Sequence, residues 1–308
     1  MDKQTCVVLG GSGFLGQRLC KRLLEEGYAV RSVSRSGRPR IVREAWCDAV
    51  DWIAASLAWK AALDAVRSAH AVFHLASSTI PSTSNVNLAA DLEENAVGSV
   101  KLLEAASPPT KVIYVSSGGT VYGIARETPI PETHPTDPIC SYGIHKLTVE
   151  KYLQLFRIMK QLDFVILRVA NMYGETQGSH KPIGAVAHFA ESAVRGTPIR
   201  IWGDGAVTRD YVHVDDVVNA LIAAMRYQGA QTIFNIGSGI GTTLNELVRI
   251  FQAQVGAPLA VCHEPSRSFD VPVNILNIDL AARELRWQPT IPLLQGVERM
   301  LAGKRKHA

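Results

Sequence analysis

Thr5-Cys6-Val7-Val8-Leu9-Gly10-Gly11-Ser12-Gly13-Phe14-Leu15-Gly16 decides the fold. Its first five residues are apolar and partly β-branched, which reads as a short buried strand. The glycines at 10, 13 and 16 follow at once. Leu15, Leu19, Leu23 and Leu24 then repeat at helical spacing as far as Gly27. A glycine turn between a strand and a helix lets the backbone turn sharply and approach a pyrophosphate, which the N–H groups at the helix start can bind. The spacing is G-x-x-G-x-x-G rather than G-x-G-x-x-G. The stretch predicts an α/β fold with a doubly wound parallel sheet, binding a dinucleotide through Gly10, Gly13, Phe14, Leu15 and Gly16.

Strand and helix patterns alternate onward from there. Ala29 to Val33 is a second strand, and the residue at its end reads the adenosine ribose in such folds. Here the end is Ser34-Arg35, with Arg38 and Arg40 nearby. A hydroxyl and a guanidinium suit a 2′-phosphate, hence NADP; Arg35 stacked on adenine would instead leave NAD as the cofactor. Asp51-Trp52 is read as the end of a third strand beside the adenine, followed by a helix from Leu57 to Val66. The fourth strand, Ala71 to Ala76, ends in Leu75 and the small Ala76, against which a dinucleotide can lie. Thr79 to Asn87 is a polar loop over the strand ends, and Thr79 is its candidate substrate contact. Leu92 to Ala106 is a helix carrying Asn95.

The fifth strand, Lys111 to Val115, runs into Ser116-Ser117-Gly118-Gly119-Thr120-Val121-Tyr122-Gly123. Hydroxyls of Ser117 and Thr120 at a central strand end can bond a substrate oxygen. A proline-rich turn then leads to Tyr142-Gly143-Ile144-His145-Lys146, the start of an amphipathic helix. Residues four apart share a helix face, so the Tyr142 hydroxyl and the Lys146 ammonium can meet one small molecule. A nearby cation favours the phenolate, which predicts a Tyr142 pKa lowered toward working pH for proton transfer. After a sixth strand, Phe164 to Val169, the alternation loosens. The last third carries Arg209-Asp210-Tyr211-Val212-His213-Val214-Asp215-Asp216, then Arg267 and Asp270, and reads as a cap over the sheet.

Composition bounds the partners. The chain has 308 residues, 47% hydrophobic and 19% charged, with a net charge of +4. That is ordinary for a globular protein of one large domain or one with an appendage. No basic stripe with interleaved aromatics points to nucleic acid. No apolar run approaches the ~20 residues of a membrane-spanning helix. Five scattered cysteines without metal-type spacing suit a reduced cytoplasm. No metal site is expected; His70 and His74 straddle a strand start.

The ordered set Gly10-x-x-Gly13-x-x-Gly16, His74-Leu75-Ala76, Asn95, Ser116 to Gly123, Tyr142-x-x-x-Lys146, Arg168 to Gly174 and Arg209 to Asp216 resembles the extended short-chain dehydrogenase/reductase family, in particular its nucleotide-sugar epimerases. The resemblance spans Thr5 to about Leu301. It implies a Rossmann sheet over residues 1–175, joined by segments at about 207–237, and a smaller C-terminal α+β substrate-binding cap over 176–308. It implies NAD as the usual cofactor, a homodimer, and a UDP-hexose 4-epimerase or an NADPH-dependent reductase of a 4-keto nucleotide sugar. A dinucleotide sensor without catalysis would be expected to have lost Tyr142 or Lys146. By the same resemblance, Tyr142 is the acid/base at the sugar C4 hydroxyl, Lys146 holds the nicotinamide ribose, and Asn95 and Val115 lie near the cofactor. Asn171 contacts the sugar or diphosphate, Arg209 and Arg267 clamp the diphosphate, and Asp270 binds the nucleotide ribose. Two departures stand out. Gly118 occupies the place of the family's usual serine or threonine, so Ser117, Thr120 or water must supply that hydroxyl. Ser34-Arg35 replaces a common aspartate.

Overall fold

A computed structural model describes residues 3–39, 44–175, 184–266 and 271–305. Its strands are β1 (Thr5–Leu9), β2 (Ala29–Ser34), β3 (Val50–Ala54), β4 (Ala71–His74), β5 (Lys111–Ser117), β6 (Asp163–Val169), β7 (Asn171–Tyr173), β8 (Ile199–Trp202), β9 (Thr208–His213), β10 (Ile233–Ile236), β11 (Gly241–Thr243), β12 (Val261–Glu264) and β13 (Val273–Asn274). Seven of them form one sheet in the order β3-β2-β1-β4-β5-β6-β10, every pair parallel. Alternate residues of a strand face opposite ways. Cys6 and Val8 enter one buried cluster with Leu15, Leu19, Phe73 and the helix Val214–Arg226. Val7 and Leu9 enter the other with Val72, Tyr114, Val149 and Leu153. Helices therefore cover both faces, and these short strands read as continuous apolar runs for that reason.

The order reverses between β1 and β4, and such a switch point opens a ligand crevice at the carboxyl ends of the strands. Three loops meet there, following Leu9, His74 and Ser117.

Outside the main sheet, β9 pairs with β7, β11 and β13, and β8 pairs with β12. A third buried cluster, with Phe189, Ile201, Leu247, Phe251 and Met300, fills the cap. Of the returning 207–237 stretch, the helix Val214–Arg226 and β10 join the dinucleotide half, while β9 goes to the small sheet. Among the described residues no helix is long and apolar enough to cross a membrane, and no group of three His, Cys, Asp or Glu could hold a metal ion.

Candidate active site

The glycine turn is built for close approach. Gly10 has φ of +87°, and a Cβ there would lie 3.1 Å from the Ala76 backbone. A Cβ on Gly16 would sit 2.3 Å from the Gly10 carbonyl oxygen. The helix Phe14–Glu25 starts at Gly13 without a side-chain cap. Leu75 N–H donates to Leu9 C=O at 3.0 Å, so Leu75 and Ala76 line the wall opposite the turn. A bare backbone at a helix start, walled by an alanine, fits a dinucleotide pyrophosphate.

The helix Ser141–Lys160 packs Val149, Leu153 and Phe156 on the sheet and brings Tyr142 and Lys146 to the end of β5. Lys146 Nζ lies 5.6 Å from the Tyr142 ring centroid and 5.1 Å from that of Tyr114. It donates to Val115 C=O at 2.9 Å. An ammonium carries three N–H donors, so this bond uses one of them. The expected drop in the Tyr142 pKa is not what the geometry gives. Burial, then Cys140 and Asp91, push the phenol up to about 12. Burial also brings Lys146 down to about 8, against a smaller opposing effect of Glu150. The ammonium lies over the tyrosine ring, where it does little to offset desolvation of the phenolate.

Gly118 has a steric reason. A Cβ there would lie 2.5 Å from Leu276 Cδ1 and 3.0 Å from the Arg168 carbonyl oxygen, so no serine or threonine fits without displacing both. Ser117 stays part-exposed, and Thr120 Oγ1 is buried with no partner among the described residues. Beneath them Glu150 binds Arg168 at 2.6 Å and accepts from Ser116 Oγ at 2.5 Å.

Asn95 sits in a π-helical turn, Leu92–Val97. Its amide oxygen accepts from Ser78 N–H at 2.8 Å, and its nitrogen donates to Ser78 Oγ at 2.9 Å and to the Asp91 carbonyl at 2.9 Å. It therefore anchors the loop after β4, and Thr79 on that loop donates its hydroxyl to Asp91. Sequence reasoning missed Asp91. Its two neighbours across the fold, Ser141 and His145, were in plain view beside Tyr142.

The adenine side needs correction. Asp51 and Trp52 are the second and third of the five residues of β3, not its end. Asp51 pairs with Arg31 at 2.8 Å, and Trp52 Nε1 donates to Cys47 C=O at 2.8 Å. The edge is reached instead at Ala55, whose N–H donates to Ser34 C=O at 3.0 Å. Ser34 Oγ donates to Gly37 C=O at 3.0 Å. Arg35 is 67% exposed and lies 3.6 Å from Glu94.

On the cap side, Asn171 Nδ2 donates to Asp210 C=O at 3.2 Å. Arg209 Nη1 donates to the carbonyls of Thr208 at 3.0 Å and Val271 at 2.5 Å. Buried Asp210 accepts from Ser238 N–H at 2.7 Å and Gly239 N–H at 3.1 Å, tying β9 to the turn after β10. Arg267 and Asp270 lie outside the described residues.

Residues 6–237 match the model of the NAD dependent epimerase/dehydratase family. The chain is 36% identical over 298 residues to the UDP-glucose 4-epimerase of Mycolicibacterium smegmatis, covering 94% of this chain and 95% of that one. It is 30% identical to an Escherichia coli dTDP-4-dehydro-6-deoxyglucose reductase, covering 97% of each. The crystal structure of Thermotoga maritima UDP-glucose 4-epimerase with UDP-glucose superposes with a TM-score of 0.90 at 34% identity, covering 99% of each chain. With the glycine turn, the Tyr142–Lys146 pair and this likeness together, the chain is an enzyme of the NAD dependent epimerase/dehydratase family, of the extended short-chain dehydrogenase/reductase kind.

Proposed function

We propose that this enzyme is a nucleotide-sugar 4-epimerase that exchanges UDP-glucose and UDP-galactose. The observation that carries the reading is Tyr142 and Lys146 one helical turn apart at the crevice, with Nζ 5.6 Å over the phenol ring. When bound, a nicotinamide dinucleotide supplies the hydride acceptor and donor for sugar C4 and, oxidised, a positive charge beside the phenol. Tyr142 takes the proton of the C4 hydroxyl as the 4-keto sugar forms and returns it to the same C4 oxygen when the ketone, turned over in the pocket, is reduced on its other face. Lys146, held by Val115 C=O, offers its remaining N–H donors to a ribose hydroxyl. Ser117 and Thr120 orient the C4 oxygen. Asn171, Arg209 and Arg267 hold the sugar diphosphate, and Asp270 the nucleotide ribose.

One observation favours a second reading, an NADPH-dependent reductase of a 4-keto nucleotide sugar: Ser34 ends β2 and the exposed Arg35 follows it, a hydroxyl and a guanidinium suited to a 2′-phosphate. The experiment is on protein as purified. Bound dinucleotide is released with acid and identified, and untreated protein is incubated with UDP-galactose and UDP-glucose without added cofactor. Retained NAD with interconversion supports the epimerase. An empty site, with NADPH consumed only when a 4-keto nucleotide sugar is supplied, overturns it in favour of the reductase.

We also infer a cytoplasmic homodimer joined through helices 88–105 and 141–160. Leu92 and Val97 on the first, and Ile144, Leu155, Ile158 and Met159 on the second, are exposed apolar side chains. A monomer in sedimentation at micromolar concentration would refute this.

A further inference from the structure

His145 stands directly before Lys146. It is 2% exposed, as is Asp91. His145 Nδ1 lies 2.9 Å from Asp91 Oδ2, and Ser141 Oγ donates to that oxygen at 2.6 Å. The other oxygen, Oδ1, receives Asn95 Nδ2 at 3.0 Å and the Thr79 hydroxyl. One carboxylate thus gathers donors from the loop after β4, from the helix 88–105 and from the first turns of the helix that carries Tyr142. Burial works against ionised Asp91, and the hydrogen bonds of Ser141, Thr79 and His145 outweigh it, so its pKa is lowered.

An ionised carboxylate only accepts, so the hydrogen of the His145 ring sits on Nδ1. Burial first, and the Lys146 ammonium second, keep the ring from taking another proton, against the opposing pull of Asp91. Nε2 is buried and has no partner among the described residues. The rings of Tyr142 and His145 meet edge to face, centroids 5.0 Å apart and planes at 71°. The other titratable neighbours are Tyr142 and Lys146 on the same helix, the Cys140 thiol just before it, and His74 on β4, whose Nε2 lies 2.8 Å from Ser99 Oγ.

We propose that Asp91 and His145 are a positioning pair for proton transfer: a neutral His145 backs the Tyr142 ring, while Asp91 locks that helix to the Thr79 loop on which the substrate settles. The inference rests on the reading of Tyr142 as the proton-transfer group.

Two variants separate the parts. His145→Asn keeps an N–H donor toward Asp91 and removes the ring. His145→Phe keeps a ring against Tyr142 and removes the donor. The first should lower kcat about 10-fold with KM within about threefold of the parent, and the second should raise KM about 10-fold with the smaller effect on kcat. If both keep kcat and KM within about threefold while only the melting temperature falls, the pair is merely structural and the proposal is wrong. A second readout needs no turnover. In protein labelled with 15N-histidine, the signal lost in either variant should show hydrogen on Nδ1 only, unchanged between pH 7 and 9. Hydrogen on Nε2, or titration within that range, overturns the proposal. If the parent protein acts on no nucleotide sugar, the functional reading fails, and the nitrogen signals still judge the pair.

Discussion

Lys146→Met should make the protein more stable and dead. Lys146 is 2% exposed, and burial lowers its pKa from 10.5 to about 8. Each pKa unit corresponds to about 1.4 kcal/mol, so keeping the ammonium charged in the folded state at pH 7 costs about 3 kcal/mol. Methionine removes that cost, fills similar volume, and leaves Val115 C=O without its donor, a loss of about 1–2 kcal/mol. The net gain at pH 7 is then about 1–2 kcal/mol. The pH dependence is the sharper test. Between pH 8 and 10.5 the unfolded chain holds this proton and the folded chain releases it, so the parent gains stability as pH rises through that window. The variant has no such group, and its advantage over the parent should shrink by roughly 2–3 kcal/mol between pH 7 and pH 10. Urea unfolding of both proteins at four pH values, stripped of dinucleotide because ligands add their own stabilisation, measures the difference directly. An advantage that stays flat with pH would refute the reasoning and place the lysine charge in a more polar setting than its burial implies.

Tyr142→Phe should abolish most turnover and leave dinucleotide retention unchanged, checked by acid release from the purified variant; activity within a few-fold of the parent would remove Tyr142 from the chemistry. Gly118→Ser should not restore a catalytic hydroxyl. Its Cβ would press on Leu276 Cδ1 at 2.5 Å, so the expected result is a destabilisation of about 1–3 kcal/mol in urea unfolding with no rise in kcat. Arg35→Asp should shift binding from NADP toward NAD, measured as the ratio of their dissociation constants. An unchanged ratio means that Arg35, which lies 3.6 Å from Glu94, does not face the ribose. Glu150→Ala leaves Arg168 charged and buried, where removing one partner of a buried pair costs about 3–5 kcal/mol; a smaller loss in urea unfolding would show water reaching the guanidinium.

The dinucleotide half was legible because its signals are local. Glycines three apart between an apolar strand and a helix allow few backbone paths, and the Tyr142–Lys146 spacing is a property of one helix. Strand ends were harder. No local stop signal marks where β3 ends after Asp51-Trp52, and pairing with β2 carries it on to Ala54. Arg209 and Asn171 could be named from the resemblance, but the small sheet that carries them joins β9 to β7, β11 and β13, strands spread from residue 171 to residue 274, and no local period encodes such pairings.

Asp91 shows the deeper limit. In Asp91-Leu92-Glu93-Glu94-Asn95 an acidic residue beside two more acids reads as the solvated face of a helix, and Glu93 and Glu94 are indeed exposed. Asp91 and Asn95, four apart and so on one helix face, are buried together while Leu92 and Val97 face outward. A binary pattern that takes polar residues as exposed turns this face the wrong way. The carboxylate is then tolerable in the interior only because four donors reach it, from the loop after β4, from its own helix and from the helix Ser141–Lys160, and buried charge without such partners would be far too costly. Those partners lie up to 54 residues away in sequence. What organises the site beneath the tyrosine is therefore a long-range hydrogen-bond set, while what the sequence displays openly is the pair of residues it serves.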